Sequence, residues 1–132
     1  MILPDTQAAI WLAIDQGLGK ESRRMADKAV ADDRLTISAI SFSELGMLIA
    51  KRRLRAVKSA GELRATLLAT GIRELPLTGE IAVLAAEFEN LNGDPTDRII
   101  AATAIAHDAT LMTADANLLR WRHRLKRQVA ER

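Results

Sequence analysis

Four very short apolar runs alternate with helix-length segments along this chain, and no other feature narrows its fold as far. The runs are Ile2-Leu3, Leu35-Thr36-Ile37-Ser38, residues 72–75 and Thr110-Leu111-Met112-Thr113. Each is bounded by turn or capping residues. Pro4 follows the first run, and it is tolerable there only at a strand end, because a central strand needs its amide donors. Residues 6–18 read as a mostly buried helix stopped near Gly17 and Gly19, and residues 21–31 as a more polar one. Ser41 starts a helix whose apolar positions Phe42, Leu45 and Ile49 keep helical spacing. Ser59-x-x-Glu62 forms a capping box for residues 59–69, with Gly71 as the stop. Thr78 caps a helix with Ile81, Leu84, Phe88 and Leu91 on one side. Gly93-Asp94-Pro95 is a turn, and Pro95 suits the first position of a helix running to about His107. The end of the chain fits two periods, Leu118, Trp121, Leu125 and Val129 as a helix, or Trp121, His123 and Leu125 as an alternating strand. It is read as a helix or a short mixed ending. Strands alternating with helices predict an α/β fold with a mainly parallel central sheet. Right-handed crossovers then put helices on both faces.

At 132 residues the chain has room for one domain, residues 1–132, and buries enough surface to fold without a disulfide or structural metal. Aromatic residues are 3% of the total, so the core is expected to consist of Ala, Leu and Ile. Cysteine is absent, which excludes disulfides, thiolate metal sites and cysteine nucleophiles and suits a reducing cytoplasm. No apolar run approaches the ~20 residues of a bilayer span. Residues 1–14 carry Asp5 and Gln7 and have no basic lead-in, unlike a signal peptide. The formal net charge is only +2, but the basic residues cluster. Lys51, Arg52, Arg53, Arg55 and Lys58 form one group. The segment 118–132 holds another, including Arg122 and Arg124. Such runs read either as solvated faces or as phosphate contacts.

In an open α/β sheet the reactive edge lies at the carboxyl ends of the strands. Asp5 ends the first strand. Glu44 sits in the first turn of the helix after the second, Asp97 in the first turn of the helix opened by Pro95, and Asp115 just past the last strand. Each acid taken singly has a structural reading. Asp5 and Asp115 suit helix starts or turns, Ser41-x-x-Glu44 is a capping box, and Asp97 is a third-position acid favoured by the helix dipole. Taken together they converge on one edge. Two carboxylates ~6 Å apart repel by roughly 3 kcal/mol at an effective dielectric of 20, so protons or cations must occupy such a cluster. An all-oxygen ligand set favours a hard cation, Mg²⁺ or Mn²⁺. Mg²⁺ takes few carboxylates and completes its shell with water and phosphate, an arrangement suited to phosphodiester hydrolysis.

The ordered motifs resemble those of PIN-domain ribonucleases. Residues 2–11, Ile-Leu-Pro-Asp-Thr-Gln-Ala-Ala-Ile-Trp, resemble the family's opening, and residues 37–45, with Glu44, its second acidic motif. Residues 93–104, Gly-Asp-Pro-Thr-Asp-Arg-Ile-Ile-Ala-Ala-Thr-Ala, are the strongest match, and residues 111–115 resemble the fourth motif. The subgroup most similar is the VapC-type toxins of bacterial toxin–antitoxin pairs. Pro4 and Gln7 depart from the usual pattern: an aliphatic residue is usual before the first acid, and a His is common at the second position after it. The resemblance implies a metal-dependent endoribonuclease of the cytoplasm. Asp5, Glu44, Asp97 and Asp115 match its acidic positions, with Asp5, Asp97 and Asp115 holding Mg²⁺ or Mn²⁺. Thr6 and Thr113 match supporting positions, and Asp94 is assigned to the helix cap. Arg98, Arg52, Arg53, Arg122 and Arg124 are candidate RNA contacts.

The implied partners are an RNA substrate, a small antitoxin protein laid over the acidic edge, and a second copy of the chain. Residues 41–69 are candidates for the groove or dimer surface. One alternative is a non-catalytic PIN-like module that binds RNA or antitoxin. Others are a nuclease acting on DNA and a phosphate-accepting receiver-like domain, although the last would want a lysine where Thr113-Ala114-Asp115 has none.

Overall fold

The structure is a computed structural model, and it describes residues 1–55 and 57–132. Its elements run β1 (Ile2–Pro4), α1 (Thr6–Ile14), α2 (Lys20–Ala31), β2 (Thr36–Ser38), α3 (Ile40–Ala50), α4 (Ala60–Ala69), β3 (Arg73–Leu75), α5 (Gly79–Ala86), α6 (Pro95–Ala106), β4 (Thr110–Thr113), α7 (Ala116–Arg120) and β5 (Lys126–Val129). Every strand pairing is parallel. Strands β1, β4 and β5 form one sheet in the order β1-β4-β5, and β2 pairs with β3. A parallel bridge between Ile2 and Leu35 joins the two into a single surface ordered β3-β2-β1-β4-β5.

Pro4 explains why that junction is a single bridge. The Ile2 amide donates to the Arg34 carbonyl at 2.8 Å, whereas the Asp5 amide donates to the Met112 carbonyl at 3.0 Å. Amides alternate sides along a strand, so residue 4 faces β2, where proline has nothing to donate. Pairing with β2 lapses there, and the Thr36 hydroxyl substitutes by donating to the Ile2 carbonyl at 2.8 Å. On its other side β1 stays in register with β4 through Pro4 opposite Met112.

Alternation also fixes the two layers. Leu3 and Leu111 pack with Ile100, Ala101 and Ala104 of α6 on one face. Met112 turns to the other face and meets Ala8 of α1. On that side Ala9, Ile10, Ala26 and Ala29 cover Leu35 and Ile37 together with Leu45, Leu63 and Leu67. The core is thus Ala, Leu and Ile, and the small alanines of α6 let that helix approach the sheet closely.

The structure corrects three helix bounds and selects the mixed ending of the chain. Helix α1 ends at Ile14 rather than near residue 18, closed by Asp15 in the left-handed conformation. Helix α3 begins at Ile40 rather than Ser41, and Ser38 Oγ accepts from the Ile40 amide at 3.3 Å. Ser41 is a buried interior residue whose Oγ accepts from the Thr6 hydroxyl, so the Ser41–Glu44 capping box does not form and Glu44 falls in the second turn. Helix α5 stops at Ala86, short of Phe88 and Leu91. The Arg98 guanidinium takes the carbonyls of Ala85, Ala86, Phe88 and Leu91, which turns the chain out of the helix. The mixed ending is short helix α7 followed by β5, and Trp121, Leu125 and Val129 do not continue a helix. Arg127 holds the intervening turn by donating to the carbonyls of Leu118, Trp121, His123 and Leu125.

Candidate active site

The carboxyl ends of β1 and β4 lie side by side, and the acid after each strand caps the next helix. Asp5 is the N-cap of α1, with Oδ1 accepting from the Ala8 amide at 2.8 Å. Its Oδ2 accepts from the Thr113 hydroxyl at 2.5 Å. Asp115 is the N-cap of α7, with Oδ1 accepting from the amides of Asn117 and Leu118. Thr113 ties the two together, because its Oγ1 also accepts from the Asp115 amide at 3.0 Å. A threonine fits this place because it is fully buried at the end of β4 and has one proton to give and a lone pair to receive.

Asp97 reaches the same edge from α6. Asp94 caps that helix, its Oδ1 accepting from the Thr96 amide at 2.8 Å, and Pro95 fills the first position. Asp97 therefore takes the third position, where the helix dipole favours an acid. Asp5, Thr6, Gln7, Glu44, Asp97, Ala114 and Asp115 line one cleft of about 280 Å³.

The electrostatics of this cleft are those of an unneutralised acid cluster. Burial is the main force raising the Asp97 carboxyl to about 7, and the charges of Asp115, Glu44, Asp5 and Asp94 add to it. Asp5 is also held above the ordinary aspartate value, chiefly by burial. Its hydrogen bonds from Thr113 and Ala8 work in the opposite direction. No lysine or arginine lines the cleft, and among the described residues every ion pair lies elsewhere. The positive charge that such a cluster requires must come from outside the chain.

The donor set fits a hard divalent cation, since it is all oxygen, anionic and open to solvent. Among the described residues no three Asp, Glu or His side chains are placed to hold one ion together. Asp5 has both oxygens in hydrogen bonds and Asp115 has one so engaged, which leaves Asp97 and Glu44 the least committed. The arrangement matches the Mg²⁺ habit of one or two carboxylates, with water or phosphate in the remaining positions.

The candidate RNA-contacting arginines do not converge on the cleft. Arg98 spends its guanidinium on four carbonyls, as above. Lys126 pairs with Thr110, the first residue of β4, so the preceding Arg122 and Arg124 lie toward the strands' amino ends, away from the acids. Arg124 instead lines a hollow with Asp108 and Lys126. Arg52 and Arg53 are exposed on the turn that follows α3. Two residues went unassigned in the sequence reading. Ser41, read as a cap, is the hydrogen-bond partner of Thr6 inside α3. Gln7, noted only as a departure from pattern, lines the cleft. Its position two residues beyond Asp5, at the start of a helix, is the signal that could have found it.

The PIN domain family matches residues 2–123. The chain is 33% identical over 125 residues to "Ribonuclease VapC22" of Mycobacterium tuberculosis (strain ATCC 25618 / H37Rv), covering 92% of each protein. The VapBC2 structure from Rickettsia felis, bound to a DNA fragment from its promoter, superposes with a TM-score of 0.68 at 19% identity, covering 97% of this chain and 98% of that one. A toxin–antitoxin complex from Klebsiella pneumoniae superposes with a TM-score of 0.58 at 23% identity, covering 87% of each chain. At these identities the two structural likenesses show the shared fold.

Proposed function

This chain belongs to the PIN domain family, and from that premise we propose that it is a divalent-metal-dependent endoribonuclease, the toxin of a toxin–antitoxin pair. The observation that carries the reading is the convergence of Asp5, Glu44, Asp97 and Asp115 on one cleft with no cation of the chain's own. The name of the Mycobacterium tuberculosis relative supports RNA as the substrate. The Klebsiella pneumoniae complex supports an antitoxin partner.

In this reading Asp5, Asp97 and Asp115 would hold Mg²⁺ or Mn²⁺, one or two of them directly and the rest through water, and Glu44 would complete the site. The cation, when bound, neutralises charge on the phosphate and lowers the pKa of a bound water. The chain's own residues supply orientation. The Ala8 amide and the Thr113 hydroxyl fix both oxygens of Asp5. The same hydroxyl fixes the backbone of Asp115. Without a cation, burial and the neighbouring acids hold the Asp97 carboxyl up at about 7.

The whole chain, residues 1–132 including the basic end 118–132, acts as one unit. No helix among the described residues is long and apolar enough to cross a membrane. The reading places the protein in the cytoplasm beside its RNA and antitoxin, as a homodimer. A strict monomer by light scattering at micromolar concentration counts against that part.

Cleavage of a labelled single-stranded RNA tests the activity. Wild-type protein stripped of partner should cut it with Mn²⁺ or Mg²⁺ and stop with EDTA, and Asp5→Asn and Asp97→Asn should each lose at least a hundredfold. Either variant cutting at the wild-type rate refutes the assignment. Metal-loaded wild type that binds RNA without cutting supports the non-catalytic module instead.

A further inference from the structure

A cleft walled by four carboxylates must admit a phosphodiester, itself an anion, and directional donors for it are scarce. Of the seven residues that line the cleft, four are the acids and Ala114 has no polar side-chain atom. Thr6 is buried and its hydroxyl donates to Ser41 Oγ at 3.2 Å. That leaves Gln7, which is exposed, sits in the first turn of α1 and lines the cleft two residues beyond Asp5. Its carboxamide is the one side chain of the lining that carries N–H donors. The arginines that the sequence offered for this task are spent on carbonyls or lie away from the cleft.

We infer that Gln7 is a substrate-contacting residue whose carboxamide N–H donates to the RNA strand, at a non-bridging phosphate oxygen beside the acidic cleft. The inference rests on the nuclease reading for the nature of the substrate. A neutral donor suits this place for a physical reason. A lysine or arginine here would pair with the neighbouring carboxylates and compete with the cation for them, whereas a carboxamide adds a donor without discharging the cluster. A hydrogen bond to a charged oxygen is the stronger kind, and its loss weakens binding by roughly tenfold.

The test uses Gln7→Leu, which keeps an apolar stem and removes the donor, and Gln7→Glu, which adds a fifth carboxylate. Neither position nor exposure makes either variant hard to fold, and an acid in the first turn of a helix is favourable. Three quantities are read: affinity for a labelled single-stranded RNA in Ca²⁺ by fluorescence anisotropy, cleavage in Mn²⁺ resolved into kcat and KM, and Mn²⁺ affinity by paramagnetic resonance. Gln7→Leu should weaken RNA binding roughly tenfold, raise KM by a similar factor and leave Mn²⁺ affinity within twofold. Gln7→Glu should weaken RNA binding further while tightening Mn²⁺, two opposite shifts that a merely structural role would not produce. RNA affinity within twofold of wild type in Gln7→Leu, or parallel loss of RNA and Mn²⁺ in Gln7→Glu, overturns the inference. The readouts separate its failure from that of the nuclease reading. RNA affinity lost in Gln7→Leu with no cleavage by wild type refutes the nuclease alone, and cleavage by wild type with equal RNA affinity refutes the Gln7 contact alone.

Discussion

Asp97→Asn should stabilise the metal-free protein above neutral pH while abolishing cleavage. Asp97 titrates near 7 in the folded chain, about three units above an ordinary aspartate. Each unit corresponds to about 1.4 kcal/mol, so an unscreened carboxylate would cost about 4 kcal/mol when ionised. Asp97 is partly open to water, and screening reduces that to roughly 2 kcal/mol. The asparagine also gives up the dipole attraction of a third-position acid, about 0.5 kcal/mol. The net gain is about 1.5 kcal/mol, or roughly 5–7 °C for a domain of this size. The sign with pH follows from linkage. A carboxyl whose folded pKa is raised binds more protons folded than unfolded between about pH 4 and 7, so wild-type stability falls as pH rises through that window. The assay is thermal unfolding in EDTA at pH 5 and pH 8. Asp97→Asn should melt above wild type at pH 8, and the gap should narrow at pH 5, closing only below about pH 4 where the unfolded carboxyl is also protonated. With Mn²⁺ in excess at pH 8 the order should reverse, because the wild type gains binding energy that the variant has lost. A variant that melts below wild type at pH 8 in EDTA refutes the claim that burial and the neighbouring carboxylates raise Asp97.

Other substitutions separate the roles of neighbouring groups. Thr113→Val removes the bond to Asp5 Oδ2 and the acceptor for the Asp115 amide. It should cost about 1–3 kcal/mol in urea unfolding and move the acid limb of the cleavage profile to higher pH, since a bond that lowers the Asp5 pKa is lost. An unmoved acid limb argues against that link. Arg98→Lys keeps the charge but not the fork that reaches four carbonyls, and should lower stability by roughly 2 kcal/mol with RNA affinity unchanged by anisotropy. Normal stability with weakened RNA binding would restore Arg98 as a phosphate contact. Arg127→Met should free the loop before β5 and speed amide exchange at Thr113 and Ala130, whose backbones are paired. Unchanged exchange there means that β5 docks without that guanidinium.

Much of the fold was legible because its signals are local. Asp94-Pro95, Ser59 and Thr78 each announced a helix start that the structure keeps, since a cap acts within three residues. The four acids were legible as a group because a parallel sheet brings all its carboxyl ends to one edge. What misled the reading were side chains whose partners lie beyond the next helical turn. Ser41 has the pattern of a cap but bonds Thr6, and Phe88 and Leu91 keep helical spacing although Arg98 claims the carbonyls around them. Edge strand β5 carries Lys126, Arg127 and Gln128, so no apolar run marks it.

The sequence by itself determined the alternation of strands and helices, the alanine- and leucine-rich core and the acids at the strand ends, all consequences of period and of neighbours a few residues apart. Only the tertiary structure decided which groups those acids and arginines meet. Thr113 joins Asp5 to Asp115, Arg98 and Arg127 turn inward to carbonyls, and Gln7 is left as the cleft's one side-chain N–H donor. The physical reason is range. A cap or a hydrophobic period is set within one or two helical turns, whereas the charge state of Asp5 depends on Thr113, 108 positions away, and the acceptors of Arg98 and Arg127 depend on the path of loops that no period marks.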